Sequence, residues 1–208
     1  AYDLQTRTLL YLSPPRYGTL GSILHSKSTG RVYFRGRGKQ GNHLRRYDPT
    51  TGELKIIQSD LDPRLCTRET AEGIIYVVDW KGNLWQFEVR TEESKKIGYL
   101  PIGNLTHITA LALDERNGYL YYHPGGSGKT FYEGTPVVQY DLQNRTRKVI
   151  AFLSPFYAGK YQLVLNTTYD MALNKDSSTL FITWYGAYRS QRNEGKIFCA
   201  LTVVHIPQ

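Results

Sequence analysis

Tyr140–Gly159 reads YDLQNRTRKVIAFLSPFYAG, and Tyr2–Gly18 reads YDLQTRTLLYLSPPRYG. Both begin Tyr-Asp-Leu-Gln, carry Arg-Thr, pass through Leu-Ser-Pro and end on Tyr and Gly. A self-match of this length marks a chain built from repeats, and repeats set the register for every other motif. Laying the phrase along the chain gives anchors at Tyr2-Asp3, Tyr47-Asp48, Phe87-Glu88 and Tyr140-Asp141, separated by 45, 40 and 53 residues. A second ladder precedes each later anchor and follows the last one. It consists of Arg31–Phe34, Ile74–Val77, Tyr119–Tyr122 and Thr179–Ile182, with aromatic positions Tyr33, Tyr76, Tyr121 and Phe181.

Each ladder strand follows a polar turn, at Lys27–Gly30, Thr70–Gly73, Glu115–Gly118 and Lys175–Ser178. Gly, Asn and Asp tolerate the left-handed backbone that such turns need. Another short strand stands before each turn, at Ser22–Ser26, Leu65–Glu69, Thr109–Asp114 and Asp170–Asn174. After each anchor come a second turn and a last strand, for example Leu54–Gln58 or Arg147–Phe152. The unit is therefore four short antiparallel strands, A to D, repeating every ~45 residues, the period and strand count of a propeller blade. No segment keeps a three-to-four-residue apolar period, so few helices are expected.

The expected fold is all-β, with about four to five blades. The units are 1–12, 22–58, 65–100, 108–153 and 169–207 of one propeller domain or propeller segment. The chain opens on strands C and D, and its last unit finishes at strand C. Two arrangements fit. Residues 1–12 complete the last blade and close a small ring, or the chain is part of a larger propeller or of one completed by another copy. Unpaired strand edges are what proteins normally cover.

The phrases Leu44–Glu53 (LRRYDPTTGE) and Asp79–Phe87 (DWKGNLWQF) resemble the repeats of the β-propeller superfamily. The nearest groups are the gluconolactonase-like and pyrroloquinoline-quinone-type repeats. The resemblance covers nearly the whole chain as architecture, and its phrases are turn and strand chemistry. A gluconolactonase-like site would need acidic and amide ligands for a central metal. Asp79, Glu133 and Glu194 stand at connection positions, but no inward acidic residue is repeated from unit to unit, so no metal site is expected. No cofactor is indicated.

Composition narrows the class. The 208 residues carry a net charge of +8, 17 Tyr and one Met, with a mean hydropathy of −0.44. Many aromatics suit pleated, half-buried surfaces, and the charge favours acidic partners. No apolar run is long enough to cross a bilayer, so membrane insertion is not expected. Cys66 and Cys199 are too few for a disulfide scaffold and are expected as buried free thiols, with a bridge between them as the alternative. Sequons at Asn104, Asn144 and Asn166 favour an extracytoplasmic glycoprotein.

Register separates two ends of each blade. The A–B and C–D turns are short. The connections at the other end are expected to be long: Ser13–Gly21, Gly36–His43, Ser59–Arg64, Pro101–His107, Pro124–Pro136, Ser154–Thr168 and Tyr185–Gly195. Binding groups concentrate on such loops. Their residues are basic and aromatic: Arg35, Arg37, Trp80, Lys81, Lys129, Tyr157, Tyr185 and Arg189 are the ligand-binding candidates. Rings stack on sugars, and guanidinium pairs with carboxylate or sulfate. The expectation is a secreted binding or assembly module for an acidic polysaccharide or a protein partner. One alternative is a polysaccharide lyase using His123, Tyr132 and Arg35 on a uronate. Another is a structural subunit that self-associates through blade edges. Specific nucleic-acid binding is not expected. The run Gly125–Thr130 (GGSGKT) lacks the first glycine of a phosphate loop, which is His123 here, and no helix former follows it.

Overall fold

A left-handed residue recurs at the same point of every C–D turn, and it explains why the repeat is legible. The residue five after each anchor Tyr or Phe has positive φ: Arg7 (56°), Gly52 (72°), Glu92 (59°) and Arg145 (56°). Its N–H closes the turn onto the residue after the anchor, as in Gly52 to Asp48 O (2.8 Å), Glu92 to Glu88 O (2.9 Å) and Arg145 to Asp141 O (2.9 Å). The anchor aspartates complete the turn. Asp48 Oδ1 accepts from Thr50 N at 3.0 Å, and Asp141 Oδ1 accepts from Gln143 N and Asn144 N. These are local contacts, set by a few consecutive residues.

The computed structural model describes residues 2–9, 21–38, 41–125, 134–188 and 198–206. The chain divides into two units, Ala1–Gly98 and Tyr99–Gln208. In the first, β1 (Tyr2–Asp3) and β2 (Thr8–Leu9) form a two-stranded hairpin. A four-stranded sheet follows, with β3 (Leu24–His25), β4 (Val32–Gly38), β5 (Gly41–Tyr47) and β6 (Leu54–Ile57) in sequence order. The next is β7 (Pro63–Cys66), β8 (Ile74–Asp79), β9 (Asn83–Glu88) and β10 (Glu93–Tyr99). Alternate residues of these strands, among them Leu24, Tyr33, Leu44, Ile75, Val77 and Phe87, form the first core. Tyr33 and Phe87 meet edge to face at 4.9 Å. Each such side chain contributes roughly 2 kcal/mol by leaving water.

In the second unit, β11 (His107–Asp114), β12 (Tyr119–Gly125), β13 (Pro136–Asp141) and β14 (Arg147–Phe152) form a four-stranded antiparallel sheet. Helix α1 (Leu153–Tyr161) leads into the three-stranded sheet of β15 (Leu163–Leu173), β16 (Thr179–Tyr188) and β17 (Phe198–His205). The core between these sheets holds Ala110, Tyr121, Val137, Leu165, Ile182 and Trp184.

Several expected connections are something else. Within the expected loop Gly36–His43, residues 36–38 and 41–43 are strand, because β4 and β5 stay paired through Gly36↔His43, Arg37↔Asn42 and Gly38↔Gly41, and residues 39–40 lie outside the described residues. Continued pairing satisfies backbone groups that a loop would leave to water, and a glycine-rich segment needs no apolar alternation to join it. Ser154–Thr168 holds α1 and the start of β15. Pro155 sits in the first turn of α1, where its missing N–H costs nothing. The helix ends at Gln162 in the left-handed region, with its N–H on Tyr157 O. Strand β15 therefore begins at Leu163 and not at Asp170. Tyr185–Tyr188 continue β16, and the remainder of that connection, like 126–133, lies outside the described residues. Both cysteines are free, but Cys66 is only half-buried and Cys199 is exposed, because Cys199 falls on the open side of β17.

Candidate functional site

The strongest site lies where the β8–β9 turn meets the start of β7. The ladder between these strands passes from Pro63↔Asp79 to Leu65↔Val78, so Arg64 is the extra residue of a β-bulge. A bulge re-aims the side chain of its extra residue. Here the Arg64 guanidinium lies over the Trp80 ring, 4.8 Å from its centre. Arg64 Nη1 is buried and has no hydrogen-bond partner among the described residues. Burial pulls the Arg64 pKa below its ordinary value, the expected sign for a cation leaving water. Trp80 is 48% exposed.

The turn that presents Trp80 is built by Asp79. Its Oδ1 accepts from Lys81 N (2.9 Å) and Asn83 N (2.8 Å), and its Oδ2 accepts from Asn83 Nδ2 (2.7 Å) and Trp85 Nε1 (3.0 Å). Both oxygens are thus engaged by N–H donors and are not set out for a metal. Among the described residues no cluster of His, Cys, Asp and Glu could hold one. Lys81 is exposed beside Trp80. Arg35, from β4, pairs with Asp62 at 2.9 Å. Burial raises the Asp62 pKa, Arg35 opposes that, and Asp79 adds to it. Asp62 Oδ1 is buried without a partner among the described residues.

His123 is elsewhere and differently placed. It does not end its strand, since β12 runs on through Pro124 and Gly125; it is fully buried and packs edge to face on Trp184 at 4.9 Å. Its Nδ1 must donate to Pro136 O, 2.8 Å away, because a carbonyl only accepts. Nε2 is left as a bare acceptor with no partner among the described residues. Burial drives the imidazole pKa down to about 4, with the Pro136 hydrogen bond pulling slightly the other way. The folded state therefore refuses a proton that the unfolded chain takes up near pH 6.5. This contribution is complete above pH 6.5 and is lost as pH falls towards 4. Stability measured by urea unfolding should drop by about 2 kcal/mol more between pH 7.5 and 5 in the wild type than in His123→Gln. Equal slopes would show that the ring is solvated.

The other candidates are scattered. Tyr157 lies on α1 and packs against the core of the second unit. Tyr185 lies in β16 against Tyr169. Arg37 enters the β4–β5 ladder as backbone. Tyr17, Lys129, Tyr132 and Arg189 lie outside the described residues. Asn104 is exposed in the turn bridged by Ile102 and Leu105. Asn144 is exposed, with Nδ2 on Asp141 Oδ2 at 2.9 Å, and Asn166 is half-buried in β15. Sequence reasoning missed Arg64 and Asp62. Their roles arise from a bulge and an ion pair between strands, neither of which leaves a spacing to read.

No family model matches the sequence, and no curated protein matches it. Solved structures do. The crystal structure of a nidogen/laminin complex is similar over 94% of this chain and 69% of its own, with a TM-score of 0.59 at 14% identity. A structural genomics protein of unknown function from Bacteroides thetaiotaomicron matches 80% of this chain and 40% of its own (TM-score 0.55, 13% identity). The tricorn protease matches 78% of this chain and 15% of its own (TM-score 0.51, 17% identity). At such identities the likeness is one of fold alone. Among the described residues no helix is long and apolar enough to cross a membrane. Sheet order, turn register and structural likeness converge on one architecture: the chain is all-β, built of about four β-propeller blades.

Proposed function

We propose that the chain is an extracytoplasmic binding module whose first unit takes an acidic sugar at Arg64 and Trp80. The observation that carries this reading is a bulged arginine laid on a half-exposed tryptophan, with its Nη1 buried and unpaired among the described residues. A buried donor without a partner is costly, and a uronate carboxylate brought alongside the half-buried Arg64 would offset the charge of its guanidinium. Charge-assisted pairs of carboxylate and guanidinium are the strong ones. The exposed part of the Trp80 ring offers a stacking surface for the sugar. Lys81 adds a cation beside it, and Arg35 holds Asp62 as an ion pair that offsets that carboxylate's charge. The net charge of +8 draws acidic chains toward the whole molecule.

Binding is favoured over lyase chemistry by the state of His123. A proton-abstracting base must reach substrate and hold a pKa near working pH, whereas this ring is enclosed and pushed down to about 4.

Calorimetric titration with hexagalacturonate tests the reading. The wild type should bind, and Trp80→Ala and Arg64→Gln should each weaken binding about tenfold, equivalent to ~1.4 kcal/mol. Binding should also survive salt that screens exposed charges. Unchanged affinity in both variants, or loss of all binding at moderate salt, would leave only the net charge acting and would overturn the site.

A further inference from the structure

Three blades carry the same irregularity at the same register. In β7 the ladder skips Arg64 between Pro63↔Asp79 and Leu65↔Val78. In β11 it skips Thr109 between Ile108↔Pro124 and Ala110↔His123. In β15 it skips Tyr169 between Thr168↔Trp184 and Asp170↔Thr183. The 45 residues that relate Tyr76 to Tyr121 also relate Arg64 to Thr109, and the 60 that relate Tyr121 to Phe181 relate Thr109 to Tyr169. One residue past each bulge's partner stand Trp80, Gly125 and Tyr185, again in register.

So the blade scaffold offers one repeated device: a bulged residue of strand A set beside the residue that follows the bulge's ladder partner in strand B. In two copies the paired side chains touch. Arg64 lies over Trp80 in the first unit. In the second unit Tyr169 meets Tyr185 edge to face, with ring centres 6.1 Å apart at 66°. The middle copy is not a platform. Gly125 has no ring, and the Thr109 hydroxyl is spent on His123 O at 3.3 Å and on Thr168 Oγ1 at 2.5 Å.

We infer that Tyr169 and Tyr185 form a second sugar subsite, in the second unit, that takes an uncharged pyranose ring. Tyr169 is 57% exposed, so its ring is not held there by burial. The bulge turns it toward Tyr185, as the equivalent bulge turns Arg64 toward Trp80. Neither ring brings a charge, which selects against a required carboxylate. A β-linked pyranose with equatorial hydroxyls presents a flat C–H face, and an aromatic ring packs on such a face while the phenol hydroxyls remain available to the sugar's hydroxyls. The subsite stands on the Tyr169–Tyr185 geometry alone. That this chain recognises glycans holding both neutral and acidic sugars rests, in addition, on the acidic-sugar reading above.

The test uses two probes on the full chain. Cellohexaose should bind, with saturation-transfer NMR signals from its ring C–H groups. Tyr169→Ala should weaken it about tenfold, Tyr169→Phe should retain the stacking, and Trp80→Ala should leave it unchanged. Hexagalacturonate should show the opposite dependence, sensitive to Trp80→Ala and indifferent to Tyr169→Ala. Because Tyr169 is exposed, its truncation should leave the unfolding midpoint in place, which separates loss of contact from loss of fold. Cellohexaose that does not bind, or that binds equally well to Tyr169→Ala and Tyr185→Ala, overturns the subsite. If cellohexaose depends on Tyr169 while hexagalacturonate binds nowhere, the subsite stands and the acidic-sugar reading falls.

Discussion

Replacing Trp184 with alanine is expected to destabilise the second unit by about 4 kcal/mol. Trp184 is fully buried in the core between β11–β14 and β15–β17. Its loss removes the ring on which His123 packs at 4.9 Å, and it strips Thr202 Oγ1 of the Nε1 donor 2.8 Å away. Thr202 is itself fully buried, so its hydroxyl would be left without that partner in a place water does not reach. The cost is a cavity plus an unsatisfied polar group. Trp184→Phe keeps most of the volume and should cost roughly half as much. Urea unfolding followed by far-ultraviolet circular dichroism measures both. A loss below about 1 kcal/mol for the alanine variant would mean that the sheets close over the gap, contrary to the close packing of protein cores.

Glu92→Ala should cost the first unit about 3 kcal/mol. Glu92 stands in the β9–β10 turn at φ 59° and reaches across to the neighbouring sheet. Its Oε1 accepts from Arg46 Nη1 at 3.0 Å and from the Tyr33 hydroxyl at 3.2 Å, with Arg31 Nη1 3.8 Å away. The Arg46 side chain is only 9% exposed. Removing Glu92 leaves that guanidinium with Glu53, a carboxylate that is half in solvent and screened there. A buried cation that loses its partner is the expensive case. Glu92→Gln keeps the hydrogen-bond geometry, loses the charge, and should fall between. A second readout is spectroscopic. Burial, and after it the charge of Glu92, push the Tyr33 pKa up to about 12, so ultraviolet titration of the alanine variant should show one phenol ionising at lower pH. Thermal unfolding that matches the wild type would show that the Arg46–Glu92 pair contributes nothing net.

These two residues illustrate a difference in what could be read. Glu92 occupies the left-handed turn position shared with Arg7, Gly52 and Arg145, and that role is visible in the chain as the fifth residue after the anchor. Its pairing with Arg46, 46 residues away, is not. Trp184 is apolar and stands in a strand, so burial was open to inference, but its contact with His123 was not. In the sequence His123 stands as a chemical group at the edge of a connection. The neighbouring sheet turns it into a neutral, enclosed ring instead.

The amino-acid sequence by itself determined the blade: four strands, their turns and their register. Those features depend on contacts within about six residues, where Asp side chains bond the next N–H groups and one residue in each turn goes left-handed. Tertiary structure alone decided where the ladder slips, and so aimed Arg64 at Trp80 and Tyr169 at Tyr185. It also decided that β4 and β5 stay paired as far as Gly38 and Gly41 and that Leu153–Tyr161 is helical. Bulges, buried pairs and extended hairpins answer to the strand or sheet alongside, whose position is set by packing between segments far apart in the chain.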